Sequence, residues 1–295
     1  AESMRIGGTA GHIKFALGEN VKQSNWGVSD RFPQTRMGVE QVFYEAFHRA
    51  KDYDREWRAW NAMRPRDRER TAPPRRDLEL ETLVEILNDK RHISCHSYVQ
   101  SEIDMLMHVA DSMGFTVNTF THILEGYKVA AKMQRHGASG STFSDWWAYK
   151  FEVNEAIPYN AALMHMHGVN TGINSDDAEM SRRLNQEAAK AVKYGGVSEE
   201  DAWKMVTLNP ARMLKLDHRL GSVEVGKDAD LVLWSDNPLS IRAKVEQTWV
   251  DGVRYYDVER DAEMRRWIAA ERDRIVRAMI AAKGEGAPTR KARRD

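Results

Sequence analysis

Three residues of this 295-residue chain carry chemistry at a repeated position. His96 closes the run "RHISCH", His122 closes "FTVNTFTH", and Asp176 closes "VNTGINSD". Each run reads as a strand, and each is followed by a segment with helical periodicity. Imidazoles and carboxylates are the ligands that hold a zinc-type ion while leaving a position open for water. Asp176 has a second capacity, since one oxygen can bind metal while the other takes a proton from the attacking water. A histidine at a strand end is more often an ordinary hydrogen-bonded residue, but three strand-end positions in order weaken that reading. The neighbouring Asp177 has a simpler explanation, because an acid at a helix start accepts from exposed N–H groups and suits the dipole.

These residues need elements to place them on one rim. Strands are expected within His12–Asn20, where a short apolar strand runs into a Gly-containing loop, at 91–97, at 115–122 and at 169–173, with a weak strand and loop over 137–147. Helices are expected between them at 38–60, 78–87, 101–113, 123–135 and 154–166, with another from Asp177 onward. "RPRDRERTAPPRRD" reads as an exposed loop. Strands alternating with helices imply a parallel sheet. In a (β/α)8 barrel, the strand carboxyl ends carry the active site, and Glu19, His96, His122 and Asp176 all fall there. Five such units cannot close eight strands, so an incomplete TIM-like barrel is expected over residues 1–215. Two short helices follow over 198–214, the first capped by Ser198 in "SEED". Residues 216–257 read as β-sandwich strands, including a hairpin with an Asp251-Gly252 turn. A helix and a disordered tail are expected over 258–295.

Composition narrows the function. Lys plus Arg equals Asp plus Glu at 44 each, so no global charge draws the chain to nucleic acid or an anionic membrane. No apolar run approaches the roughly 18 residues of a membrane span, and no secretory signal opens the sequence. The compartment stays open between cytoplasm and periplasm. The single cysteine, Cys95, excludes an internal disulfide framework and a Cys-type zinc site. It neighbours His96 on a strand, so it should face away from the site.

The sequence resembles the metal-dependent amidohydrolase superfamily, in particular its imidazolonepropionase-like and Xaa-Pro dipeptidase-like branch. "CHSYVQSEI" is similar to that branch's fifth-strand motif, "FTHILEGYKVA" to the sixth and "GINSDDAEMSRRLNQEA" to the eighth. "VTLNPARMLKL" with "GSVEVGKDADLVLWSDNPL" resembles the segment that leaves the barrel and completes a small β-sandwich. The resemblance implies His96, His122 and Asp176 as ligands to one or two divalent metals, zinc foremost. It places Lys14 of "IKFALGENVK" where binuclear members carry a carboxylated lysine, with Glu19 as rival bridging carboxylate. A carbamate is needed there because an ammonium has no lone pair to give a metal. The family's His-x-His pair on the first strand has no counterpart, so the chain is expected to correspond to strands four to eight.

The expected activity is hydrolysis of a C–N bond in a peptide-like, cyclic amide or amidine substrate. The competing expectation is a catalytically incompetent half-domain that needs a complementary N-terminal half. Trp146 and Lys150 of "SDWWAYKFE", with Tyr98, are candidates to line the substrate pocket. Packing of that loop against the barrel explains Trp146 and Lys150 equally well. "HMH" (His165 to His167) is rejected as a metal pair, because residues two apart on a helix point in different directions. A small-molecule or dipeptide-like substrate is expected, with neither nucleic acid nor membrane as partner. A homo-oligomer, or pairing with the complementary half, is expected through an exposed sheet edge.

Overall fold

The computed structural model describes residues 9–22 and 31–288. Its chain divides into two compact units at Ser222/Val223.

The first unit runs β1 (Gly11–Ala16), α1 (Glu19–Lys22), α2 (Arg36–Ala62), α3 (Pro65–Arg68) and α4 (Leu78–Leu87), then β2 (Arg91–His96) and α5 (Gln100–Met113). It continues with β3 (Thr119–Thr121), α6 (Gly126–His136), β4 (Ser139–Thr142), α7 (Asn160–Met166) and β5 (Thr171–Ile173). It ends with α8 (Leu184–Gly195), α9 (Glu199–Lys204) and α10 (Leu208–Met213). The five strands form one parallel sheet in chain order. Among the described residues that sheet does not close on itself, and β1 and β5 each have a strand on one side only.

Alternation within the strands decides what faces the helices. Ile93, Cys95 and Phe120 are fully buried and join Phe47, Leu106, Val109 and Met133 in one apolar core, against which Ile13 and Phe15 pack. Phe47 stacks on Phe115 with ring centroids 4.2 Å apart. The intervening residues look the other way. Ala16, His96 and Thr121 lie abreast in register, with Lys14, Ser94 and Thr119 one layer earlier. Cys95 therefore faces the helices, as alternation requires, and burial pushes its thiol pKa up.

Several boundaries differ from the periodicity. The third strand is confined to three residues, because its ladder with β2 spans only Ser94–His96 against Thr119–Thr121. The helix expected from residue 154 begins at Asn160, after a single 3-10 turn at Phe151–Val153. The segment after Asp177 makes a 3-10 turn, Met180–Arg183, before α8 starts. One helical turn, α3, interrupts the loop expected over 64–77. Residues 165 and 166 are helical and His167 caps α7, which removes the geometry that a His-x-His strand pair needs. His165 instead approaches Asp201 at 3.7 Å. Ser198 caps α9 as read, accepting from the Asp201 N–H at 3.0 Å.

The second unit is an antiparallel sheet of β6 (Leu231–Trp234), β7 (Val245–Val250) and β8 (Val253–Asp257), followed by α11 (Val258–Gly284). Of the β-rich stretch 219–239, only Leu231–Trp234 is a strand. The hairpin turn falls at Asp251 and Gly252, both with positive φ (50° and 75°), as a tight Asp-Gly turn demands. Asp257 caps α11 by accepting from the N–H groups of Glu259 and Arg260 at 3.1 Å. Residues 289–295 of the expected tail lie outside the described residues.

Candidate active site

Two of the residues singled out in the sequence, His96 and His122, meet at the carboxyl ends of the parallel strands. His96 is the last residue of β2, and His122 follows β3 directly. Their rings lie 5.1 Å apart, centroid to centroid, at 63°. Both are buried, at 7% and 9% exposure. Burial, the larger influence, lowers the pKa of each, and the Lys14 ammonium adds to this. His122 falls to about 4. Both rings are therefore neutral near pH 7, the form that offers a lone pair.

An amide from a neighbouring loop holds each ring. Asn20 Nδ2 meets His96 Nε2 at 3.3 Å, and Asn174 Nδ2 meets His122 Nδ1 at 2.8 Å. Asn174 Oδ1 is buried without a partner among the described residues. Turning that amide over would give the orphan oxygen the His122 Nδ1–H and leave Nε2 with its lone pair toward the site. Neither asparagine was legible in the sequence as a site residue. Their one signal is position, in "GEN" and "GINSDD" beside residues already chosen.

An aromatic wall extends from the imidazoles. Tyr98 sits edge-on to His96 at 4.8 Å, and Phe143 stacks on His122 at 5.1 Å. Trp146 stacks on Phe143 at 5.3 Å. The Lys150 ammonium lies 4.1 Å over the Tyr98 ring and 3.1 Å from the Glu152 carboxylate. Glu152 is buried, and its other oxygen accepts from the Glu19 N–H at 3.0 Å. This carboxylate, unnoticed in the sequence, ties the loop after β4 to the loop after β1. Gly18 has φ +81°, and any side chain there would collide with Glu152.

The remaining candidates are nearby but not drawn into one cluster. Asp176 is exposed, and its charge raises the pKa of both imidazoles against the effect of burial. Lys14 is exposed on β1, on the face that carries His96 one layer further on. No group of three or more His, Cys, Asp or Glu side chains among the described residues is spaced to hold a metal ion. Asp177 is placed as its cap reading requires, accepting from the N–H groups of Glu179 at 2.9 Å and Met180 at 2.8 Å. Four non-glycine residues beyond the strand ends are left-handed: His122, Trp146, Ala148 and Asp176. Backbone strain of this kind collects where surrounding structure imposes a functional geometry.

Residues 155–256 match the model of the amidohydrolase family. The fold resembles that of an amidohydrolase from Thermotoga maritima MSB8, with a TM-score of 0.75 and 28% identity over 87% of this chain. The chain is similar to members of the amidohydrolase family. It is 28% identical, over 83% of its length, to amidohydrolase tasK of Hapsidospora irregularis. It is also 30% identical over 135 residues to an imidazolonepropionase of Thermoplasma volcanium. It spans 26% of the tasK protein, 33% of the imidazolonepropionase and 65% of the Thermotoga chain.

Proposed function

We propose that the strand-end residues form the water-activating site of a metal-dependent hydrolase acting on C–N bonds. The observation that carries this is the pair of buried, neutral imidazoles 5.1 Å apart, each held by an asparagine amide. The donor set suits a divalent metal, zinc first: two imidazoles supply lone pairs, and the orphaned Asn174 oxygen is what a ring-orienting amide would present. His96, His122 and Asp176 would hold it, with Lys14 as a carbamate, or Glu19, bridging a second ion. A bound divalent ion lowers the pKa of water and polarises the scissile group.

The chain's own residues supply the rest. Asp176, exposed at the rim, accepts the proton of the attacking water and passes it to the leaving nitrogen. Trp146, Lys150 and Tyr98 line the substrate side, where an aromatic wall and one ammonium receive a peptide-like, cyclic amide or amidine substrate. Glu152 fixes Lys150 from behind.

A second reading has one observation in its favour. Three-ligand grouping is absent among the described residues, which suits a half-site completed by a complementary chain. Both readings are tested by titrating metal-stripped chain with Zn2+ against a chromophoric chelator, followed by hydrolysis assays on dipeptides, cyclic amides and amidines. Binding lost in His96→Ala and in His122→Ala, together with turnover, supports the hydrolase. Binding of the same kind without turnover supports the half-site. Binding that neither substitution changes would sink the site assignment.

A further inference from the structure

Glu152 sits in the single 3-10 turn after β4 and is 4% exposed. A carboxylate taken that far out of water is costly unless its oxygens find donors. Oε2 has the Lys150 ammonium at 3.1 Å, and Oε1 accepts from the Glu19 N–H at 3.0 Å. The first contact belongs to the substrate side of the rim. The second reaches another loop, and a carboxylate that served only to neutralise Lys150 would need no bond there.

That loop is anchored at two points. One residue beyond the β1–β2 ladder, the Leu17 N–H donates to the His96 carbonyl at 2.8 Å. Gly18 then turns with φ +81°, and a Cβ on it would run into Glu152 Oε1. The carboxylate thus stands where any other residue would place its side chain. Glu19 gives Glu152 its N–H, and the next residue is Asn20, whose Nδ2 lies 3.3 Å from His96 Nε2. Asn20 is exposed, so burial does not hold its amide in that place. Two backbone anchors flank one glycine and deliver one amide to one ring nitrogen. A polar partner at Nε2 fixes which nitrogen of the imidazole carries the proton, and so which is left for a metal. We infer that Glu152 is a positioning residue for His96: through the Glu19 N–H it holds Asn20 where its amide sets the tautomer of the ring. The consequence for metal affinity rests on the reading of His96 as a ligand; the consequence for the tautomer does not.

The test uses the whole chain. In metal-free protein labelled with 15N in histidine, the ring shifts of His96 at neutral pH report its tautomer, with the signals assigned by their loss in His96→Gln. The parent chain should show one tautomer. Asn20→Ala should show a mixture, and so should Glu152→Met, which fills the same space and cannot accept the Glu19 N–H. Zn2+ affinity, read against a chromophoric chelator, should fall about 10- to 100-fold in each, the range for losing a residue that orients a metal-ligating histidine. The two residues act in series, so the double variant should lose no more than the worse single one, whereas independent effects would multiply. Glu152→Gln keeps an acceptor oxygen and should restore the single tautomer and most of the affinity. Gly18→Ala displaces the carboxylate without altering it and should reproduce the mixture, which keeps the test in force if Glu152→Met does not fold. A mixture already present in the parent, a single tautomer in Glu152→Met or in Gly18→Ala, or losses that multiply in the double variant would each overturn the inference. So would Glu152→Gln as damaging as Glu152→Met, which would assign the effect to the ion pair with Lys150. A parent chain that binds no Zn2+ would refute the metal reading and leave the tautomer measurement to decide this one.

Discussion

Asp176 and Asp177 are adjacent, chemically identical and placed for different work. Asp177 Oδ1 accepts two backbone N–H bonds, at 2.9 and 2.8 Å, from the turn that starts toward α8. Asp176 is exposed and left-handed, and its charge opposes in part the burial that lowers both imidazole pKa values. Replacing Asp177 with Ala removes a cap of the kind that contributes about 1 kcal/mol. In a unit of 222 residues that lowers Tm by roughly 2–4 °C. Asp177→Asn keeps an acceptor oxygen and should leave Tm within about 1 °C. Asp176→Asn should also leave Tm alone, while cutting the hydrolytic rate by about 10²- to 10⁴-fold, the share that general acid–base catalysis supplies. Differential scanning fluorimetry and kcat, measured on metal-replete chains of equal metal content, separate the two effects. A fall in Tm for Asp176→Asn equal to that of Asp177→Ala, or equal rate losses for the two asparagine variants, would refute the division of labour.

Three further outcomes follow from the same geometry. His122 titrates at about 4 in the folded chain against an ordinary value near 6.5, so the folded state binds fewer protons and stability is lost as pH falls through that window. Urea titrations with chelator present should lose about 2 kcal/mol between pH 7 and pH 5 that His122→Gln does not lose; parallel pH profiles for the two chains would contradict the burial argument. A Cβ at Gly126 would collide with Met164 Sδ and meet Ile123 Cδ1 at 2.9 Å. Gly126→Ala should therefore cost about 1–3 kcal/mol in urea titration, with Met164→Ala recovering part of it, and additive losses would show that the two do not share that space. Cys95, buried with a raised pKa, should resist thiol reagents in the folded chain and react only as the chain unfolds, as mass spectrometry during a urea titration would register.

The legible parts of the sequence were those where one physical rule dominates. His96 and His122 could be placed at strand ends because strand periodicity gives way to helical periodicity at those points. Cys95 could be discounted because neighbours on a strand face opposite sides. Asp177 could be assigned its cap because helix starts leave N–H groups unsatisfied. The loop after β4 resisted the same treatment. Trp146 and Ala148 are left-handed and Phe151–Val153 makes an isolated turn, held by contacts across the fold that no local pattern encodes. Asn20, Asn174 and Glu152 were invisible for a related reason. Their partners are 76, 52 and 133 residues away in the chain, and an uncharged amide has no spacing rule to give it away. The β-rich reading of 219–239 shrank to one strand, Leu231–Trp234, with Val223 and Val225 left exposed.

The alternation in β2 has a bearing on how such a protein can change. Ile93 and Cys95 face the helices, while Ser94 and His96 face the other way. Two messages are thus interleaved in six letters, one addressed to folding and the other to the rim, and the second can be rewritten without garbling the first. A library that varies Ser94, Thr119, Thr121 and Lys14 while holding Ile93, Cys95 and Phe120 should return mostly folded chains with altered rims. The inverse library should return chains whose rim residues are all present and have nothing to stand on.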